Sequence, residues 1–541
     1  VEGGLAVKRT WSLGLLVATA VAGLITLFLA LRSPAPWSEG TLVYLLPSLP
    51  ESLDPARAGD EAAGRVLPLL FEGLVRYAPG SSALEPALAS SWEVLDGGRI
   101  WVFRLRPGVL FHDGTPLTSA HVRASVARTV AGAAPASYAT FVYGAVERID
   151  TPDPLTVRFT LKQRYAPFPK HLAIPFAAPV SKLGADGVPV GTGPFVLREW
   201  VPGRRLVLAA NPYYWDRRSG AEASGPGRPG PPGAGPDFPS VDRLVFLAAG
   251  DPPRRALLKK AHIAEGVTPE AVPRGYRLHL TPRPDLAYLG FYVQKGPFAD
   301  PRLRQAVAHA LDRDLLARET CGGVVMPARG FLPPVLMDHA VSLPPHDPTR
   351  AGRLLAAAGY PAGLDVTLIT YREPRPYNPA GSRLAEAIAE QLGRVNIRVT
   401  VRSYPWQEYK AALFGQEGDF FLYGWTADSL DPDNFLQVLL ATSQVPSGLN
   451  ATRYSNRDVD ALLARAQTTV DPAARRELYR LAHAIACRDL PCLPLFHGLD
   501  RVAVSDRIRN FLPVWNRTAY LAGVGWNPAY TTNEGPSEGA Q

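Results

Sequence analysis

The chain has 541 residues, 46% of them hydrophobic and 20% charged, which excludes a disordered polymer and leaves room for roughly two to four domains. Fifty-seven basic against forty-nine acidic side chains give a net charge of +8, yet only eight are Lys and no dense Lys/Arg block occurs, so a phosphate-tracking nucleic-acid surface is not expected. Cys321, Cys487 and Cys492 make neither a zinc spacing nor a CxxC pair, although Cys487 and Cys492 are close enough in sequence to bridge in an oxidising compartment.

Lys8 and Arg9 precede an uncharged run from Thr10 to Leu31, which as a helix would span about 33 Å and cross a bilayer core. The basic flank places the N-terminus inside and the body outside. We read an uncleaved transmembrane anchor; the alternative is a removed signal peptide, whose small-x-small sites would lie within the run at Ala18–Ala20 and Ala20–Ala22. Thr41–Leu46 follows as a short apolar strand, then a Ser52-Leu53-Asp54-Pro55 turn. Arg65–Tyr77 has helical spacing, with Leu67, Leu70, Phe71 and Leu74 on one face. Leu88–Glu93 and the alternating Ile100–Leu105 read as strands. Phe111-His112-Asp113-Gly114-Thr115-Pro116-Leu117-Thr118 supplies an Asp-Gly turn and a cap, Thr118, for a helix from Ser119. His112 and Asp113 are assigned to turn chemistry and not to catalysis, because no third group in sequence reach orients the His. Val190-Gly191-Thr192-Gly193-Pro194-Phe195 lacks the spacing of a dinucleotide fingerprint, so its glycines are assigned to a close backbone crossing. Residues 217–239 are Gly/Pro-rich and read as a mobile loop.

Helices are expected from Phe298–Ala306, Thr349–Gly359 and Ser382–Leu392, with strands at Val366–Thr370 and Ile397–Val401. The first of these strands runs into Arg372-Glu373-Pro374-Arg375-Pro376-Tyr377-Asn378-Pro379. The second precedes Tyr404-Pro405-Trp406. A further strand, Phe420–Trp425, ends at Thr426-Ala427-Asp428. Prolines on both sides pre-orient Arg375, whose guanidinium suits a carboxylate, and Asp428 beside Trp425 suits an ammonium group. Both sit beyond strand carboxyl ends, where α/β domains commonly bind ligands, so they are candidates for the two ends of one zwitterion. Trp406 and Trp425 are read as pocket walls or as core. Asp431 and Asp433 are expected to cap the helix at Phe435. Asn456–Cys487 reads as two helices joined at Asp471-Pro472, and Leu493–Phe496 as a strand returning to the first part of the fold.

The RPYNP stretch, GWTxD, FHDGTPLT, the LDP turn and VGTGPF followed by Asn211-Pro212-Tyr213-Tyr214-Trp215 resemble the dipeptide-binding proteins of bacterial ABC importers. Those belong to the wider peptide/nickel/oligopeptide family, extracytoplasmic solute-binding proteins of family 5. The resemblance runs from about Thr41 to Asn527, and departs at Leu258–Glu265, where the family has a Leu-x-x-Gly-x-Asp turn. It implies an α/β, periplasmic-binding-protein-like fold: two α/β lobes around a ligand cleft plus one extra α+β domain, here behind an N-terminal transmembrane helix. The implied parts are an N-terminal segment, 1–39; a discontinuous lobe I from 40–74, 183–284 and 503–535; an inserted domain, 75–182; and lobe II, 285–502. It implies that Arg375 and Asp428 hold the ligand termini, with Tyr138 lining the cleft from the extra domain. Thr426, where longer-peptide binders carry Cys, favours the dipeptide branch. The expected ligand is a short peptide and the expected partner a membrane permease, with no nucleic acid, no cofactor, no metal and a monomeric state. Relatives that bind haem, glutathione or nickel complexes keep those ligands open.

HExxH, Walker, GxSxG and clustered metal-ligand spacings are absent from the sequence, which makes a membrane-anchored peptidase the weaker class. A non-transport envelope protein is the remaining alternative.

Overall fold

Glu61–Leu70 forms a helix because Asp60 accepts from the Ala63 amide at 2.8 Å and caps it, while Ala63, Val66, Leu67 and Leu70 bury one face. The computed structural model describes residues 40–530 apart from 132–137, 175–179, 185–188, 219–240, 251–252, 338–340, 342, 517–519 and 522. The expected membrane helix at Thr10–Leu31 and the Gly/Pro-rich segment from 219 onward lie outside the described residues. Among those described, no helix is long and apolar enough to cross a membrane. The described residues from Leu42 onward pack as one unit.

In chain order, strand β1 is Thr41–Leu46, buried throughout, and helix α1 is Glu61–Leu70. α1 stops at Leu70, short of the expected Tyr77; Val75–Tyr77 is instead a strand paired with Leu84–Pro86. Strands β2 (Ala89–Leu95), β3 (Ile100–Leu105), β4 (Val146–Asp153) and β5 (Thr156–Leu161) form an antiparallel sheet in the order β2-β3-β5-β4. Helix α2, Ser119–Ala131, covers it. Its own core centres on Phe103, Phe111, Phe159 and Phe168, with Phe103 and Phe159 edge to face at 5.8 Å. Such a pair adds about 0.5–1.5 kcal/mol beyond area burial. The four-residue helix α3, Phe168–His171, closes this part.

The large sheet has twelve strands. β6 (Phe195–Val201), β7 (Arg205–Ala210), β8 (Arg243–Ala248), β1 and β9 (Ile263–Glu265) make one end. Their core contains Tyr44, Leu67, Phe195, Leu208, Phe246 and Val504. β10 is Tyr276–Pro282, β11 Asp285–Phe291 and β12 Val325–Pro327. Helices α4 (Pro301–Ala310), capped by Asp300, and α5 (Pro348–Ala357), capped by Asp347, precede β13, Leu364–Tyr371. Then come α6 (Arg383–Gly393), β14 (Ile397–Tyr404), α7 (Trp406–Phe414), β15 (Phe420–Thr426) and α8 (Asp433–Leu440). α9 (Arg457–Thr468) and α10 (Pro472–Asp489) lead to β16, Cys492–Ser505. β11, β15, β13 and β14 make the other end, over a second core that includes Tyr288, Phe291, Tyr409, Phe421 and Phe496.

β16 is longer than the Leu493–Phe496 strand expected, because it serves both ends. Its first half pairs with β11 and β12, its second half with β9 and β10. The β10–β11 link, Arg283-Pro284, crosses between the same two cores beside it. The three cysteines are buried free thiols, so the Cys487–Cys492 bridge is not present; burial pushes the Cys487 thiol up to about 12.

Candidate functional site

β13 and β14 are parallel and in register from Leu364↔Ile397 to Tyr371↔Tyr404, and β13 runs parallel to β15. The carboxyl ends of the three strands therefore open on one side, and Arg375, Trp406 and Asp428 follow them. Arg375 sits in a tight turn: its amide donates to the Asn378 carbonyl and the Asn378 amide donates back, both at 2.9 Å. The Asn378 side chain donates to Tyr371 Oη and the Gly381 carbonyl at 3.1 Å, fixing the turn to the strand. The Arg375 guanidinium carbon lies 3.4 Å from the centre of the Trp406 ring. Trp406 in turn stacks on Tyr409 and Tyr423 and meets Tyr371 edge-on. This shelf holds a half-buried cation whose Nε has no hydrogen-bond partner, and which makes no ion pair among the described residues.

Asp428 is fixed differently. Its amide donates to Asn434 Oδ1 at 2.8 Å, and Trp425 Nε1 donates to the same oxygen at 3.3 Å. The preceding Ala427 amide donates to the Pro284 carbonyl, beside the crossover between cores. Asn434 thus holds Trp425 and Asp428 on one atom. Asp428 is half-buried in the wall of a cavity of about 160 Å³. At about 10–15 Å³ per water-sized group by this measure, that is room for on the order of ten such groups. Its walls include Arg65, Phe71 and Glu72 near α1, Leu172–Ile174 after α3, Tyr214, Asp428–Leu430 after β15, and Trp515. Pro68 also lines it and has no N–H to return to Gly64, another lining residue, so the helix is open where it meets the cavity.

Glu72 is a second, buried acid in that wall. Burial pushes its carboxyl up to about 7 against donors from Trp215, Thr192 and Tyr214. These bonds are 3.0, 2.9 and 3.1 Å long. It was not singled out in the sequence, although a lone acid inside the apolar run Leu67–Val75 is the signal that could have found it. Thr192 comes from the GTG turn, whose glycines do cross backbone closely: a Cβ on Gly191 would lie 2.0 Å from the Leu70 carbonyl oxygen. His112 joins the same crossing, with its amide on the Gly191 carbonyl and Nε2 3.1 Å from the Gly193 carbonyl. Burial lowers that imidazole to about 4. Asp113 accepts from Thr115 within its turn and pairs with Lys182 at 2.6 Å.

Asp431 and Asp433 are more than helix caps. Pro432 stands at the N-cap of α8 with no side-chain capping bond. Asp431 Oδ1 does accept from the Asp433 amide, but both its oxygens also take the Arg475 guanidinium, at 2.6 and 2.7 Å. Asp433 accepts from Tyr165, Gln467 and Tyr479. Burial makes these carboxylates seek strong partners, and Arg475 outcompetes the helix terminus.

Two groupings therefore emerge: Asp428 with Trp425, and Arg375 with Trp406. Of these four, Asp428 alone lines the cavity. The Tyr138 side chain lies outside the described residues, though its backbone begins a short helix, Tyr138–Tyr143.

The profile of the bacterial extracellular solute-binding proteins, family 5 Middle, matches residues 83–447. Di/tripeptide-binding protein 2 of Pseudomonas aeruginosa strain UCBPP-PA14 is 32% identical over 505 residues, covering 85% of this chain and 90% of that protein. The dipeptide-binding protein of Escherichia coli K12 is 28% identical, covering 87% and 92% respectively. Among solved structures, HbpA2 of Haemophilus parasuis superposes with a TM-score of 0.80 at 25% identity, over 90% of this chain and 100% of that one.

Proposed function

The chain belongs to the bacterial extracellular solute-binding proteins of family 5, and on that premise we propose that it is the extracytoplasmic receptor of an ABC importer, enclosing a dipeptide or similarly short peptide and delivering it to a membrane permease. The observation that carries this reading is Asp428 in the wall of a cavity, beside strand ends that also present a shelved Arg375. Asp428 takes the ligand ammonium and Arg375 its carboxylate, with Trp425 and Trp406 as tolerant walls and Tyr138 of the inserted domain as a further ligand contact.

The working parts are lobe I (40–74, 183–284 and 503–535), the inserted domain (75–182) and lobe II (285–502), acting as a monomer. The two crossovers at Arg283-Pro284 and within β16 serve as hinges. Residues Thr10–Leu31 act as a membrane anchor, and retention in the membrane fraction after alkaline extraction is the expected result. A haem ligand is disfavoured, because the lining tyrosines Tyr77 and Tyr214 are already engaged as hydrogen-bond donors.

Two charge-assisted contacts of about 1.5–3 kcal/mol each correspond to roughly ten- to hundredfold in affinity apiece. Calorimetric titration with a dipeptide panel is expected to show D428A and R375A each binding at least tenfold more weakly than wild type. Unchanged binding in both variants removes these residues from the site.

A further inference from the structure

The loop that carries Asp428 is held from across the cavity. Leu430, two residues on, is buried, and both of its backbone groups are taken. Its amide donates to Tyr77 Oη at 2.9 Å, and its carbonyl accepts from Lys170 Nζ at 2.9 Å. Tyr77 O–H completes the ring by donating to the Lys170 carbonyl, also at 2.9 Å. Lys170 lies on α3, between Phe168 and Leu172 of the inserted domain's own core, whereas Leu430 belongs to the core of the β11–β14 end. The ammonium is also 3.7 Å from Asp431 Oδ2, whose other obligations are met by Arg475. Two flanking bonds continue the seam: the Ala166 amide to the Gln467 carbonyl at 2.7 Å, and Tyr165 O–H to Asp433 at 3.2 Å.

Lys170 does not line the cavity, yet the two walls it joins, Leu172–Ile174 and Asp428–Leu430, are both cavity walls. A ligand cannot leave between them without this seam parting. We infer that Lys170, with Tyr77, is a positioning residue for the ligand site: it pins the Leu430 carbonyl, fixes Asp428 against the inserted domain, and sets how long the ligand is retained. This rests on the proposed role of Asp428. The ion-pair partner is not stranded when Lys170 is removed, since Asp431 keeps its bidentate Arg475. Replacing the half-buried lysine by methionine therefore leaves one carbonyl, that of Leu430, without its donor, a modest loss for the ligand-free fold.

Stopped-flow binding of alanyl-phenylalanine and a panel of other dipeptides to the whole chain tests the inference. K170M is expected to raise the dissociation rate at least tenfold while changing the association rate less than threefold. Its ligand-free Tm should stay within about 2 °C of wild type, and K170R should restore dissociation to within threefold. Y77F, which removes both the donor to the Lys170 carbonyl and the acceptor of the Leu430 amide, is expected to give an intermediate rate. An unchanged dissociation rate in K170M, with binding lost in D428A, overturns the positioning role and leaves the receptor reading intact. An equal loss of ligand-free stability in K170M and K170R makes the contact merely structural and also overturns it. If D428A and R375A bind like wild type, or no dipeptide binds at all, the receptor reading fails and takes this inference with it.

Discussion

Asp431 is 0% exposed, and its carboxylate holds both arms of Arg475. D431A would leave that guanidinium buried without its counter-ion, a loss of about 3–5 kcal/mol expected from urea unfolding midpoints. A change under 1 kcal/mol would mean that water reaches Arg475. Asn434 carries a different burden. Its Oδ1 orients both Trp425 and Asp428, so N434A is expected to weaken dipeptide binding at least fivefold without touching ligand, read by calorimetry. Wild-type affinity in N434A would show that Asp428 is held by other contacts. The turn that carries Arg375 was legible because flanking prolines mark it, and the position of Trp406 because it follows a neighbouring strand end. The Asp431–Arg475 pair was not legible: Asp431 sits in a run of turn formers, and its partner comes 44 residues later, on another helix. Local spacing reports turns and caps, whereas a buried ion pair depends on which helices the fold brings together.

Among the elements, the α1–GTG crossing is the least tolerant. An alanine at Gly191 would bring Cβ to 2.0 Å from the Leu70 carbonyl oxygen and 2.7 Å from Phe71 Cδ1, and backbone cannot rotate away as a side chain can. G191A is expected to cost about 3 kcal/mol, near the upper end for overpacking, in a thermal melt. Gly352 is the matched control: it is exposed within α5, with nothing within 4 Å of an added Cβ. G352A should stabilise by about 0.5–1 kcal/mol through helix propensity. Equal effects of the two substitutions would contradict the crossing. The crossing was readable from Gly-Thr-Gly-Pro, and the strands at Thr41, Ile100, Val366 and Phe420 from alternation or apolar runs. The Arg65–Tyr77 helix was not read correctly, since a short apolar run fits helix and strand alike. There the Asp60 cap starts the helix early, and Glu72, drawn to Trp215 and Thr192, ends it.

Over the whole molecule, two crossing segments and a seam of side chains join three cores, an arrangement that pattern alone could suggest but not dimension. β16 looked like a four-residue strand because its apolar run breaks at His497-Gly498, where it passes from one core to the other. His497 is buried there with Nδ1 on the Asp285 carbonyl, and burial lowers it to about 4. Burial does the same to His112, His171 and His262. Each of these imidazoles contributes stability that is complete above its unfolded value near 6.5 and is lost as pH falls toward 4. Three buried carboxyls act the other way. Burial raises Glu72 to about 7 and Asp285 and Asp433 to about 6, so their contribution is complete below about 4 and is lost as pH rises through 6–7. From pH 7 to 5 the four imidazoles outweigh the three carboxyls, and a net loss of roughly 2 kcal/mol, a few degrees in Tm, is expected. Asp431 sets the acid limit. Burial alone would raise it, but Arg475 and Lys170 override burial and hold it well below the ordinary range, so its stability disappears only in strong acid. A Tm profile of the ligand-free chain should therefore be level from pH 8 to 7, fall gently to 5, and drop steeply below about 4. A higher Tm at pH 5 than at pH 7.5 would mean that the carboxyls dominate and that the imidazoles are less enclosed than their packing indicates.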